Sequence, residues 1–108
     1  MTDVISPTID KKPRKMVRDP ETASLVPATN GVKGPVFTVR SLDYYDVQHV
    51  YTGADVREQT KIAFERGLLA IDDDKKAAAA FLKAPSAIYA GPLWRHLWDE
   101  ALGNSLGG

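Results

Sequence analysis

The residues of this chain that can do chemistry are two histidines, a run of aspartates and scattered serines. His96 is followed three and four positions later by Asp99 and Glu100. On a helix that spacing sets an imidazole beside two carboxylates, the raw material of acid–base catalysis or metal binding. Only His49 accompanies it in the whole chain, and there is no cysteine. A single histidine beside two carboxylates is a solvated helix face before it is a site. Asp72-Asp73-Asp74 offers oxygen ligands for a hard cation, but consecutive residues at a helix start point in different directions, and the spaced acids, glycine and distal glutamate of an EF-hand are missing. N-capping and dipole compensation account for the run. Ser24, Ser41, Ser86 and Ser105 have no nucleophile-elbow context. Gly31-Val32-Lys33-Gly34 lacks the spacing and hydroxyl of a phosphate loop. We therefore expect no catalytic residues, no metal and no cofactor.

The chain has 108 residues, with 14 lysines and arginines against 14 aspartates and glutamates. That length suits one small domain. Zero net charge argues against nucleic acid as the main partner. Without cysteine there is no disulfide framework and no thiolate chemistry. No apolar run reaches the ~20 residues of a membrane span. The first residues have no basic start followed by an apolar stretch, so a signal peptide is not expected. The reading is a cytoplasmic protein with no membrane partner.

Five of the seven prolines precede residue 36, and all nine aromatic residues follow it. Residues 1–20 therefore read as a flexible arm, too poor in apolar surface to offset its ordering entropy. Lys11, Lys12, Arg14, Lys15 and Arg18 give it a charge of +5 over eight positions, a candidate contact for an acidic partner or nucleic acid. A single domain then occupies residues 21–108. Its first part, 21–40, reads as a β-hairpin: a strand over Glu21 to Val26, a turn at Asn30-Gly31, and a strand over Val36 to Arg40. Alternation puts Phe37 and Val39 on one face of that strand.

From Ser41, taken as an N-cap, the period becomes helical through residue 104. Tyr44, Val47 and Tyr51 share one face of a first helix ending at Gly53. A second helix, capped by Asp55, carries an apolar stripe from Val56 through Phe64, Gly67 and Leu68 to Ile71, with Arg57, Glu58, Lys61, Glu65 and Arg66 opposite. Gly67 costs helix propensity and allows close approach of a neighbouring helix. A third helix starts at the aspartate run, capped by Asp72 or Asp73, and is stopped by Pro85. A fourth begins at Pro92. The expected fold is mainly α: a small bundle of about four helices preceded by a β-hairpin and an arm. Its expected core is Phe37, Val39, Val56, Phe64, Leu68 and Ile71.

Trp94 and Trp98 lie four apart on one face of the last helix, with Leu93 and Leu97 beside them. They are core anchors or an exposed patch that binds a partner, since tryptophan is enriched at interface hot spots. So small a domain also makes sharing apolar surface with another chain, including a second copy, a natural solution.

The run Val36-Phe37-Thr38-Val39-Arg40-Ser41-Leu42 resembles the F-x-V-R-x-L passage from strand to helix in tail assembly chaperones of long-tailed bacteriophages. The order of elements is similar over residues 22–104, including an apolar last helix closing at Gly103-Asn104. The resemblance implies a non-enzymatic, transient assembly factor that binds the tape measure protein, and in some cases tail tube subunits, during virion assembly. The long basic segment before residue 22 departs from that pattern. It suits two rivals better: a structural virion component such as a capsid-decorating or head–tail connector protein, or a regulator that binds a host protein or nucleic acid through the arm.

Overall fold

The computed structural model describes residues 12–105, and its elements combine four helices with a four-stranded sheet. The order is β1 (Arg14–Asp19), β2 (Ser24–Pro27), a 3-10 turn (Ala28–Asn30), β3 (Phe37–Val39), α1 (Tyr44–Val50), α2 (Val56–Gly67), β4 (Leu68–Ile71), α3 (Lys75–Lys83) and α4 (Ala87–Ser105). The strands form one antiparallel sheet in the order β2-β1-β3-β4. This corrects the expected mainly-α bundle to a mixed α/β domain.

The largest correction concerns the arm. Residues 14–19 are an interior strand, paired with β2 on one side and β3 on the other. The basic run hides an alternation: Arg14, Met16 and Arg18 face the helices, and Met16 belongs to the core. The hairpin accordingly joins β1 to β2 through residues 20–23, not β2 to β3. Asp19-Pro20 supplies its turn chemistry, with aspartate and then proline at favoured positions. The Asp19 carboxylate accepts from Glu21 N at 2.9 Å, and Ala23 N donates to Asp19 O at 2.7 Å. Asn30-Gly31 instead ends the 3-10 turn, with Gly31 left-handed at φ 80°. Residues 1–11, with Lys11, lie outside the described part.

The second helix stops four residues early. Leu68–Ile71 pairs with β3 as an edge strand, with Phe37 opposite Ile71 and Thr38 opposite Ala70. A four-residue apolar run is ambiguous between helix and strand, and the open edge of β3 decides it. Asp55 caps α2 as the sequence reading has it, accepting from Glu58 N at 2.9 Å. Val56, expected in the core, is 72% exposed. It stands in the first turn of α2, ahead of the point where the helix meets the domain. Asp74 caps α3, by accepting from Lys76 N. Its neighbours Asp72 and Asp73 adopt left-handed φ of 52° and 62°, and Asp72 bonds Val36 through both its amide and its carboxylate. α4 starts five residues before Pro92, which sits inside it. The missing amide costs one helical hydrogen bond, and burial of Leu93, Leu97 and Ala101 offsets that loss.

The core lies between the sheet and the helices. Phe37, Val39, Leu42, Val50, Phe64, Leu68, Phe81, Leu93 and Leu97 are buried in it, and Ile71 packs half-buried against it. Phe81 joins sheet to helix, with its ring 5.9 Å from both Phe37 and Phe64. A Cβ on Gly67 would come within 2.8 Å of both methyls of Leu97, so this glycine sets how closely α4 approaches α2.

One buried carboxylate ties the layers. Asp46, in the capping box that Asp43 begins, accepts from Arg40 Nη1 at 2.9 Å, Arg66 Nη1 at 2.9 Å and Asp43 N at 2.9 Å. Burial by itself would raise its pKa. The hydrogen bonds from Arg40, Asp43 and Arg66 outweigh that and hold it far below the usual carboxylate range. Arg66, read from sequence as solvent-facing, therefore belongs to the framework. The N-cap role read for Ser41 falls to Asp43, and Ser41 is buried.

Candidate protein-binding surface

The two flanks of α4 carry most of the residues singled out from the sequence. Leu93 and Leu97 point straight into the core and are fully buried, which removes them from any partner contact. Trp94 and Trp98 sit beside them, half-buried, their rings stacked at 5.0 Å with 13° between planes. Tyr51 meets Trp98 edge-on at 5.7 Å.

From there the aromatic surface continues along α1. Tyr44 and Tyr51 are seven residues apart, two helical turns, so both fall on one face about 10 Å apart. Tyr44 packs edge-on against Tyr45 at 5.7 Å, and its hydroxyl accepts from Gln48 Nε2 at 2.8 Å. Tyr44, Tyr45 and Tyr51 are 65%, 75% and 62% exposed. The turn after α1 fixes this end of the surface. Gly53 N donates to Val50 O, and a Cβ on Gly53 would lie 2.8 Å from Gln59 N, so only glycine lets α2 start so close. The result is a band of five aromatic residues over α1 and α4 that carries no Lys, Arg, Asp or Glu of its own.

The other flank of α4 is polar. Glu100 takes both guanidinium nitrogens of Arg14 from β1 and the Ser41 hydroxyl at 3.0 Å. Burial would raise the Glu100 pKa, but the bonds and charge of Arg14, the charge of His96 and the Ser41 bond together lower it. His96 stands one turn earlier. Its pKa falls below the ordinary value because of burial and the nearby Arg14 charge, against the pull of Glu100 and Asp99. Its Nε2 is buried with no hydrogen-bond partner among the described residues. A cavity of about 370 Å³ opens beside this cluster, between α4 and β2, lined by Leu25, Pro92, Arg95 and His96 among others. Ser41, Glu100 and Arg14 meet in space: the serine hydroxyl donates to a carboxylate that Arg14 also holds, and the three together fasten β1 and the segment before α1 to α4.

The remaining cations of the expected arm patch are dispersed. Lys15 pairs with Asp73 at 3.1 Å, Arg18 is half-buried, and Lys12 is exposed. No group of three or more His, Asp or Glu able to hold a metal occurs among the described residues, and no described helix is long and apolar enough to cross a membrane. Sequence reasoning singled out the tryptophans and put Tyr44, Val47 and Tyr51 on one face of the first helix, without counting the tyrosines among partner-binding residues. The buried residues of α1 are Asp46 and Val50. Comparison with protein-family models, curated proteins and solved structures finds no match.

Proposed function

We propose that the chain is a non-enzymatic assembly factor of the tail assembly chaperone kind, which holds a tape measure protein, a tail tube protein or both during virion assembly. The observation that carries the reading is the exposed aromatic band of Tyr44, Tyr45, Tyr51, Trp94 and Trp98. Tyrosine and tryptophan offer large apolar area at low ordering cost, and interfaces are enriched in both. A tape measure protein is a long helical chain that aggregates through apolar stripes. A chaperone for it needs a surface that covers such stripes reversibly and needs no catalytic group. The resemblance over residues 36–42 points the same way. The rival reading as a structural virion component leaned on a long arm, and the placement of Arg14–Asp19 in the sheet shortens that arm.

Co-expression with the tape measure protein of the same genome tests the reading. The expected result is soluble tape measure protein that co-purifies with the chain, and its loss with Tyr44→Ser/Tyr45→Ser/Tyr51→Ser. Tape measure protein that stays insoluble with the unaltered chain, or stoichiometric presence of the chain in purified particles, overturns it.

A further inference from the structure

We propose that a second copy of this chain covers the aromatic band, forming a two-fold dimer through α1 and α4. The proposal uses the surface of the chaperone reading but does not depend on it.

Area is the first argument. An aromatic side chain presents roughly 150–250 Å². At 65%, 75% and 62% exposure the three tyrosines alone leave about 400 Å² open, within the roughly 300–600 Å² of the largest patch on a typical monomer, a size that is often functional. Trp94 and Trp98, half-buried, and Leu102, 39% exposed one turn beyond Trp98, extend the band. The total comes to roughly 500–600 Å² per partner, short of the ~800 Å² of a standard stable interface and in the range of a weak, reversible one.

Charge is the second argument. The band itself is uncharged, so a strongly acidic or basic partner finds no counter-ions in it. On the solvent side of α4, between the band and the cavity of the polar flank whose lining they share, Arg95 and Asp99 stand one turn apart, both exposed and opposite in sign. In a two-fold contact a residue on one copy meets a different residue on the other, and the reciprocal contact follows by symmetry. A border with one cation and one anion is complementary to itself under that operation. Zero formal net charge adds no long-range repulsion between copies. Pre-organisation is the third argument. The stacking of Trp94 on Trp98 and the edge contact of Tyr51 already fix three of the rings, which lowers the ordering cost of association.

Sedimentation velocity of the full chain across about 1–300 µM tests this, a range that spans the micromolar affinities of modest interfaces. The expected mass rises from 11.8 kDa towards twice that value. Tyr44→Glu/Tyr45→Glu is expected to weaken the dimer more than tenfold while circular dichroism and melting temperature stay those of the unaltered chain. Arg95→Glu is expected to weaken it, and Arg95→Glu/Asp99→Arg to restore it. A mass of 11.8 kDa at every concentration overturns the proposal, as does a dimer that survives the tyrosine substitutions or ignores the charge exchange. A monomer whose tyrosine variants still lose the tape measure protein would sink the dimer and leave the chaperone reading standing. A dimer whose tyrosine variants bind that protein normally would do the reverse.

Discussion

On one flank of α4, Trp94 and Trp98 stack on each other and meet Tyr51, with apolar surface left over. On the other, Glu100 is occupied by Arg14 and Ser41, and His96 is held beside it with an unsatisfied nitrogen. The difference is one of completion. On the polar flank Glu100 has its partners within the chain and fastens the helix to β1. The aromatic flank is ordered by its own rings but left uncovered. A polar seam weakened by losing a member should loosen the fold. An aromatic flank that loses one of its outer tyrosines should leave the fold alone and change what the protein associates with.

The largest test removes what the polar flank holds. Deleting residues 1–19 takes out β1, which stands between β2 and β3. Met16 and the partner of Glu100 go with it. The truncated chain should show no cooperative thermal transition, whereas deleting residues 1–11 should leave one. A cooperative melt from both would mean that the seam fastens nothing essential.

Leu97 lies between the two flanks, fully buried and pressed against Gly67. Leu97→Ala should cost about 2–5 kcal/mol by urea unfolding. Arg14→Ala comes next. It leaves Glu100, whose side chain is 18% exposed, without its cation, and should cost about 1–3 kcal/mol. An Arg14→Ala loss well under that range would show the seam to be no stronger than a surface ion pair.

Much of this contrast was hidden in the sequence, for physical reasons. Caps and stops are local, so Asp55 and the stop before Pro85 were legible, and the aspartate run marked the start of α3 although its cap is Asp74 and not Asp72 or Asp73. Strand pairing is not local. Arg14 to Asp19 carries four cations' worth of basic character around Met16 and Val17 only when Lys12 is counted in, and composition alone reads such a segment as solvated; its alternation emerges once Glu100, 86 residues away, supplies a partner for Arg14. Leu68 to Ile71 continues a helical stripe in sequence, but β3 offers it a ladder. The tryptophans were visible as a pair, while the shared face of Tyr44 and Tyr51 carried no sign of whether it turns to the core, a question that burial of Asp46 and Val50 decides. A buried aspartate is a poor guess from sequence unless Arg40 and Arg66 are known to converge on it.

Acid should probe the polar flank selectively. The folded protein holds His96 below its ordinary value of about 6.5, so the unfolded chain takes up that proton first. Stability should fall as the pH drops below ~6.5. Glu100 is also held below its ordinary value, so its contribution is present above that value and is lost as pH falls through the folded one. Asp46 acts in the same direction. His96→Gln should flatten the decline in urea stability between about pH 7 and 5 and leave the decline at lower pH intact. Parallel curves for the two proteins over the upper range would show that His96 takes no part in the seam.

The smallest expected effect on folding belongs to the aromatic flank. Tyr45 is 75% exposed, and its ring touches only Tyr44 among the described aromatic pairs. Tyr45→Ser removes little buried area and no hydrogen bond of the framework, so unfolding free energy should change by less than about 0.5 kcal/mol. Trp98→Ala is the sharper companion. It breaks the stack with Trp94 and the edge contact with Tyr51, and Trp98 packs half-buried on the core, so some stability must go with it. The two substitutions therefore divide the band into a part that the fold uses and a part that it does not. Measured side by side in urea, Trp98→Ala should be the more destabilising, with Tyr45→Ser indistinguishable from the unaltered chain. A Tyr45→Ser protein as destabilised as Trp98→Ala would mean that the outer band is part of the fold's own packing, and the contrast between a finished flank and an open one would fail.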